Sequence, residues 1–206
     1  KQNKAAVFKN IKQKRYWKCN YCEAIFLDKA FYLSSDDEHK HYLTHNNDVN
    51  DERYKKFLSN LMLPLIDRIK LKSIGLDYGC GPGPALSLML REKGYQMFNY
   101  DPFFHPKKSN LLKKYDFISC SETVEHFHNP FYEFTRFNEL LNVGGIIGIM
   151  TNFHSKENIF ENWYYIKDPT HVVFYSKNTF LIIAKMFKWD CEFLNNNLVF
   201  FKKIYN

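Results

Sequence analysis

The clearest pattern in the chain is a short apolar stretch that ends in a glycine-rich turn. Residues 74–78, Ile-Gly-Leu-Asp-Tyr, predict a buried strand, and residues 85–90 then carry apolar side chains at helical spacing. Between them, Gly79, Gly81 and Gly83 let the backbone approach a ligand closely, because no Cβ stands in the way. A strand, such a turn and a helix N-terminus present amide donors at the carboxyl edge of a parallel sheet. The pattern therefore predicts a site for the polar or anionic end of a nucleotide-like cofactor.

The periodicity of the other segments predicts an α/β fold. A helix from about Asp51 carries an apolar stripe, which Pro64 should kink or split. Residues 103–114 are too few for a further helix and strand, so the third strand of the sheet should be reduced or missing. The remaining predicted elements are strands at 95–100, 115–120 and 146–150, helices opened by Asn129–Pro130 and by Ser176, and a C-terminal hairpin of residues 190–193 and 198–201.

The N-terminal residues are predicted to form a separate piece. Cys19 and Cys22 make a C-x-x-C pair among aromatic residues, which is typical of one knuckle of a zinc ribbon. A closed structural zinc site needs four ligands, and the chain contains no second C-x-x-C. The first pair lies upstream of this sequence, or His39 or His41 completes the site, or the knuckle is a metal-free relic. The chain is thus divided into a zinc-ribbon-like knuckle over residues 1–33, a helical segment covering the cofactor pocket over residues 34–72, and a cofactor-binding domain over residues 73–206.

The composition restricts the class of protein, its cellular compartment and its possible partners. The 206 residues, 45% of them hydrophobic, are enough for one core and a small appendage. The sequence shows no apolar run of membrane-spanning length and no signal peptide, so no membrane partner is expected. Five cysteines, an odd number, predict a reducing compartment and hence a cytoplasmic protein. The net charge of +7 and a basic cluster at residues 9–18 leave nucleic-acid binding open, although it is not favoured.

The residues around the glycine-rich turn indicate which cofactor it takes. Asp101 follows the glycines by about 20 residues, where a carboxylate can accept hydrogen bonds from ribose hydroxyls. Pro102 and Phe103 next to it offer an apolar face for adenine. Pro84 fits the dinucleotide pattern G-x-G-x-x-G poorly. The run instead resembles the first motif of class I methyltransferases that depend on S-adenosyl-L-methionine (SAM), with Asp77 as the acid of that motif.

A second resemblance narrows the group. The run SETVEHFHNP…ELLNVGGIIGIMTN is similar to the E-x-x-E-H-F and L-x-P-G-G segments of class I methyltransferases related to ubiquinone-biosynthesis and small-RNA 2′-O-methyltransferases, although Val143 replaces the usual proline. The likeness covers roughly His45 to the C-terminus. It implies a Rossmann-like class I sheet that ends in an antiparallel C-terminal hairpin. The SAM contacts that we expect are His45, Asp77, Gly79, Cys80, Gly81, Gly83, Asp101, Pro102, Phe103, Cys120, Ser121 and Glu122.

The E-x-x-E-H segment supplies the candidate catalytic residues. Glu122, Glu125 and His126 share one face if their turn is helical, and the ordinary pKa of histidine suits a general base. In the small-RNA enzymes that the motif resembles, the corresponding residues hold a divalent cation together with a later histidine. His171 is the best match for that histidine, so a Mg²⁺ or Mn²⁺ site is one hypothesis. The alternative is that Glu122 contacts the cofactor and that His126 is a base or a structural residue.

These features predict a methyltransferase whose acceptor the sequence does not identify. A small molecule is the favoured acceptor. RNA methylation, a non-catalytic SAM-binding or nucleic-acid-binding adaptor, and a nicotinamide-dependent oxidoreductase are the competing hypotheses. An insertion at residues 154–170, rich in aromatic side chains, forms either a substrate lid or packing over the sheet.

Overall fold

Two β-sheets organise the chain in the computed structural model, which describes residues 5–45, 47–155 and 157–205. The strands are β1 (Ala5–Ile11), β2 (Lys14–Cys19), β3 (Ile25–Leu27), β4 (Ile74–Tyr78), β5 (Gln96–Tyr100), β6 (Tyr115–Ser121), β7 (Leu141–Met150), β8 (Val173–Phe174), β9 (Trp189–Phe193) and β10 (Leu198–Lys203). The α-helices are α1 (Ser35–Tyr42), α2 (Glu52–Ile66), α3 (Ala85–Glu92), α4 (Pro130–Leu140) and α5 (Lys177–Phe187). Short 3-10 helices lie at Lys29–Phe31, Lys108–Leu112, Val124–His126, Glu157–Asn162 and Tyr164–Lys167.

The larger sheet has six strands in the order β5-β4-β6-β7-β10-β9. β5, β4, β6 and β7 pair in parallel, whereas β10 pairs antiparallel with both β7 and β9. Between β5 and β6 the structure contains only the 3-10 helix Lys108–Leu112, so the predicted loss of the third strand is confirmed. The sheet is Rossmann-like with an antiparallel end, as the sequence predicted. The carboxyl ends of β4, β5 and β6 consequently meet at one edge.

Helices α2 and α3 cover one face of this sheet. Leu58, Leu61 and Leu65 of α2 are buried in a cluster that also contains Leu86 of α3. Pro64 does not split α2, because it lies in the last turn, where its missing N–H removes one hydrogen bond shortly before the helix ends. None of the helices in the described part of the chain combines the length and apolar character that a membrane span requires.

Two of the helices begin at the capping residues that the sequence predicts. Asn129 caps α4 by accepting a hydrogen bond from Tyr132 N at 3.3 Å, and Pro130 is its first residue. Ser176 caps α5 in a capping box with Thr179. Strand β7 starts earlier than predicted, at Leu141, because the register of its pairing with β6 shifts and takes up the Gly144–Gly145 turn as an irregularity within the strand.

The N-terminal segment joins the rest of the chain through a second sheet. This sheet has the order β1-β2-β3-β8 and is antiparallel throughout, with Ile25 of β3 opposite Phe174 of β8. Ile25, Leu27 and Tyr16 belong to the same buried cluster as residues of the large sheet and of α5. The segment predicted as a separate piece therefore shares both a sheet and a core with the C-terminal half.

This shared core predicts one cooperative unfolding transition. Ile25→Ala removes a fully buried side chain (0% exposed) and should lower the free energy of unfolding by about 2–5 kcal/mol, the cost of a large-to-small core substitution. Chemical denaturation followed by both circular dichroism and tryptophan fluorescence measures the change. Val7→Ala, at a side chain 51% exposed on the same sheet, is the control and should shift stability by less than about 0.5 kcal/mol. A shift confined to an early, separate transition would contradict the shared core.

Candidate active site

A cavity of about 830 Å³ opens at the carboxyl edge of the parallel strands. Its floor comes from the loops after β4, β5 and β6, and α1 with the segment 164–171 lies across its other side. The structure thus brings together most of the residues that the sequence singled out. Those that line the cavity are His45, Gly79, Cys80, Gly81, Asp101, Pro102, Phe103, Ser121, Glu122, His126 and His171.

Four predicted residues lie beside the cavity and do not line it: Asp77, Gly83, Cys120 and Glu125. A Cβ at Gly83 would lie 2.0 Å from the carbonyl oxygen of Asn47, so this glycine accommodates the chain ahead of α2 rather than a ligand. Cys120 is buried within β6.

Asp77 is a buried carboxyl group inside β4. It accepts a hydrogen bond from Ser119 Oγ at 2.9 Å. Burial raises its pKa to about 7, against an ordinary 3.8, because the ionised form is disfavoured away from water.

Asp101 connects the glycine-rich turn to the loop that follows β5. One carboxylate oxygen accepts a hydrogen bond from Gly81 N at 3.0 Å, and the other accepts from Phe103 N at 2.9 Å and Phe104 N at 3.0 Å. Three backbone amides therefore hold the carboxylate in place. It orders both segments that would contact a nucleoside.

The turn itself is shaped by contacts within the protein. Gly79 has a positive φ of 74°, and its amide donates to Tyr100 O at 2.8 Å. A Cβ at this position would lie 2.1 Å from Cγ2 of Thr123, so any side chain would displace the loop after β6. Glycine is required here for both backbone conformation and close packing.

Glu122 has the most unusual environment in the cavity. Its backbone φ is +46°, a left-handed conformation that a non-glycine residue adopts at a cost. Oε2 accepts a hydrogen bond from the Tyr165 hydroxyl at 3.1 Å, whereas Oε1 is buried without a partner among the described residues. Burial raises the pKa of this carboxyl to about 7.

Glu125 lies behind Glu122 and is fully buried. Thr151 Oγ1 donates to its Oε2 at 3.0 Å, and its Oε1 contacts the Tyr165 hydroxyl, whose single proton is shared between Glu122 and Glu125. Burial, together with the negative charge of Glu122, raises the pKa of Glu125 to about 8. Tyr165 therefore joins two carboxyl groups that the sequence placed three residues apart.

His126 and His171 lie side by side, with ring centroids 4.8 Å apart. Nδ1 of His126 contacts Thr170 O at 3.1 Å, and Nδ1 of His171 contacts Tyr165 O at 2.7 Å. Because a carbonyl can only accept, each Nδ1 carries a proton, and in neutral His126 the Nε2 atom keeps a lone pair. Burial and the neighbouring His171 lower the pKa of His126 to about 3. Ligand atoms of Glu125, His126 and His171 lie within 4.8 Å of one another, so three of the four predicted cation ligands lie together, and Glu122 is not in this group.

Sequence reasoning missed several residues of the cavity. Tyr165, which binds both glutamates, was assigned only to an aromatic insertion, and no local signal links it to Glu125. Within that insertion Phe160 and Tyr165 are buried in the core, while Tyr164 is exposed and lines the cavity. Other lining residues that were not predicted are Tyr42, Asn47, Tyr78, Tyr100, Glu133, Arg136 and Asp168.

Cys19 and Cys22 lie away from the cavity. Among the described residues, no group of three possible metal ligands includes either cysteine. His39 stacks on Phe103 and His41 faces Asp168, so neither histidine completes a site at the cysteines.

Comparisons with known proteins agree with this architecture. A 1,6-didemethyltoxoflavin-N1-methyltransferase from Burkholderia thailandensis is 12% identical with a TM-score of 0.55, over 98% of this chain and 100% of that one. A magnesium protoporphyrin IX methyltransferase from Synechocystis is 12% identical with a TM-score of 0.53, over 85% and 97%. A SAM-dependent methyltransferase from Archaeoglobus fulgidus is 22% identical with a TM-score of 0.52, over 68% and 73%. At these identities the likeness shows the fold. A search of curated protein sequences finds no significant match.

The sequence profile of the family described as a methyltransferase domain matches residues 50–187, more than half of the chain. The fold and the family together define a class I methyltransferase. The chain belongs to this methyltransferase-domain family and is a SAM-dependent methyltransferase, which confirms the predicted fold and enzyme class.

The raised pKa of Asp77 predicts how stability depends on pH. The folded state holds this proton more tightly than the unfolded chain, so the stabilisation is complete below about pH 4 and is lost as pH rises through about 7. Asp77→Asn should therefore flatten the fall in the thermal midpoint between about pH 5 and 8, as measured by calorimetry. Asp190→Asn, at an exposed position of β9, should leave the wild-type slope. An unchanged slope in Asp77→Asn would show that another group titrates.

Proposed function

We propose that this methyltransferase acts on a small-molecule acceptor that is uncharged or cationic. The charge of the cavity lining is the observation that carries this proposal. Among residues 5–45, 47–155 and 157–205, no lysine lines the cavity, and the one lining arginine, Arg136, is paired with Glu133 at 2.9 Å. The acidic side chains of the lining are Glu38, Asp101, Glu122, Glu133 and Asp168.

Such a lining disfavours a polyanion. The chain carries a net charge of +7, but the lysines that the structure describes lie outside the cavity lining, so their positive charge is not focused on the reacting centre. A volume of about 830 Å³ is within the range of cofactor and ligand pockets. Nucleic-acid binding and a non-catalytic adaptor role are accordingly less favoured.

The residues of the cavity fit SAM. The polar and aromatic parts of SAM would lie against the backbone of Gly79 and Gly81, the carboxylate of Asp101 and the ring of Phe103. Ser121 and His45 also line the cavity. When bound, SAM supplies an activated methyl group. The protein's task is then to position the acceptor, exclude water and remove a proton from it.

The geometry favours Glu122 as the proton acceptor. A general base works best when its pKa lies near the operating pH, and burial brings that of Glu122 to about 7. Glu122 lines the cavity, and none of the described residues makes a hydrogen bond to its Oε1. The low pKa of His126 makes this imidazole a weaker base, so we assign it to positioning, together with Glu125.

A second candidate function, methylation of an RNA ribose hydroxyl, rests on the assembled cluster. Each imidazole of His126 and His171 donates Nδ1–H to a backbone carbonyl, an arrangement that orients metal-binding histidines. With Glu125 they would hold Mg²⁺ or Mn²⁺, which could polarise a hydroxyl group. The same cluster supports our proposal that the chain belongs to the 2′-O-methyltransferase-like subgroup.

We also propose an origin for the N-terminal segment and a cellular compartment for the protein. Cys19 and Cys22 are read as half of a former zinc ribbon, without a described third ligand. None of the five cysteines forms a disulfide, which supports a reducing, cytoplasmic setting.

Asp101 provides a direct test of the cofactor site. Asp101→Ala removes a charge-assisted acceptor and should weaken SAM binding by about 1–3 kcal/mol in calorimetry. Asp190→Ala, far from the cavity lining, should bind as the wild type does. The wild-type protein should bind SAM and S-adenosylhomocysteine but not NADH. Tight NADH binding would contradict the assigned cofactor.

The acceptor and the base can be tested together. Pools of small molecules, RNA and protein are incubated with radiolabelled SAM, and label should enter the small-molecule pool. Once the acceptor is identified, Glu122→Gln should lower turnover by about 10²–10⁴-fold, the usual loss when a general base is removed. The affinity for SAM should change little. Glu92→Gln, at an exposed position of α3, is the matched control.

EDTA treatment and the His126→Ala substitution distinguish RNA methylation from methylation of a small molecule. Activity that EDTA removes and Mg²⁺ or Mn²⁺ restores, with labelled RNA as the product, would favour the metal-dependent reading. Activity that is indifferent to EDTA supports Glu122 acting without a cation. Full turnover in both Glu122→Gln and His126→Ala would remove both residues from the mechanism.

A further inference from the structure

A second cluster of possible metal ligands lies between α1 and the segment that follows the 3-10 helix Tyr164–Lys167. His41 Nε2 is 3.2 Å from Oδ1 of Asp168, and His45 Nε2 is 3.8 Å from Oδ2 of the same carboxylate. The two imidazole centroids are 5.1 Å apart. The three ligand atoms lie within 4.8 Å of one another. Two histidines four residues apart and a distant aspartate thus face a single point at the cavity.

The carboxylate of this cluster is held in place by its own loop. Asp168 Oδ1 accepts from Thr170 N at 2.9 Å and from Thr170 Oγ1 at 2.5 Å. Asp168 therefore offers a carboxylate whose orientation is fixed before any ion binds.

The Nε2 atoms of the two histidines make no hydrogen bond among the described residues. His41 Nε2 is buried and makes no hydrogen bond within the described residues, although it faces the carboxylate. His45 is too far from Asp168 for a hydrogen bond at 3.8 Å. Tetrahedral ligands about 2.0–2.1 Å from a zinc ion stand roughly 3.3 Å apart, which these separations approach.

We propose that His41, His45 and Asp168 bind a divalent transition-metal ion of the zinc class. Nitrogen from two imidazoles and oxygen from one carboxylate make a three-ligand set that leaves a fourth position open to water or to a bound molecule. The ion fastens α1 to the loop carrying Asp168 and so closes that side of the cavity. The inference does not depend on methyl transfer, because ion binding is measured in the absence of SAM.

This site is distinct in composition from the Glu125–His126–His171 cluster. The two approach each other where Asp168 Oδ2 lies 3.9 Å from His171 Nε2. An experiment must therefore separate the two clusters, and substitutions of His41, His45 and His126 do so because each histidine belongs to only one of them.

Titration of the metal-free protein with Zn²⁺ by calorimetry, and with Co²⁺ by visible absorption, tests the proposal. We expect His41→Gln and His45→Gln each to weaken Zn²⁺ binding by at least about tenfold and to remove the Co²⁺ absorption band, since each deletes a ligand. His126→Ala and Cys22→Ser should retain this binding event, because they alter the other candidate sites. His105→Ala, a histidine outside the large cavity, is the control for adventitious imidazole binding.

The outcomes are decisive in either direction. Wild-type protein that binds no Zn²⁺, or His41→Gln and His45→Gln variants that bind it as tightly as the wild type, would overturn the inference. Binding lost in His126→Ala but kept in the other two would assign the ion to the neighbouring cluster and also overturn it. Circular dichroism confirms folding of each variant, and the exposed position of His45 makes His45→Gln informative even if His41→Gln is unstable.

Discussion

Burial of carboxyl groups at one edge of the parallel sheet is the constraint on which the site depends. Asp77, Asp101 and Glu125 are all buried there, and a buried carboxylate is costly unless hydrogen bonds compensate it. Each is satisfied differently: Asp77 by Ser119, Asp101 by three amides, and Glu125 by Thr151 and Tyr165. The loops at this edge are consequently tied to one another through acidic side chains, and that gives the cavity its shape.

The same constraint sets the chemistry of the site. Spacing alone favoured His126 as the base, because the ordinary pKa of histidine lies closest to neutrality. In the folded protein burial disfavours every charged form, so it raises the pKa of Glu122 and lowers that of His126. The proposal of Glu122 as the base rests on this difference in pKa. No pattern in the sequence could reveal the difference, since it depends on how deeply each residue is packed.

How far the sequence predicts the structure depends on the range of the interactions. The strand, turn and helix around Gly79, the cap at Ser176 and the missing third strand follow from local periodicity and turn chemistry, and all three appear as predicted. The pairing of β3 with β8, and the contact of Tyr165 with Glu125, join residues far apart in sequence. Periodicity carries no information about such partners. The site was therefore predicted where one motif supplies it, and missed where distant loops complete it.

The N-terminal sheet is connected to the E-x-x-E-H segment through contacts between residues far apart in sequence. Leu27 N of β3 donates to Val172 O, and Val172 N donates to the backbone oxygen of Glu125. The residue next to His171 is thus held between the N-terminal sheet on one side and the E-x-x-E-H segment on the other. The Cys19–Cys22 turn is attached in turn to α5, because Thr179 Oγ1 donates to Cys22 O at 2.8 Å. Backbone hydrogen bonds and core packing thus fix this segment against the methyltransferase sheet, next to the loop that carries His171.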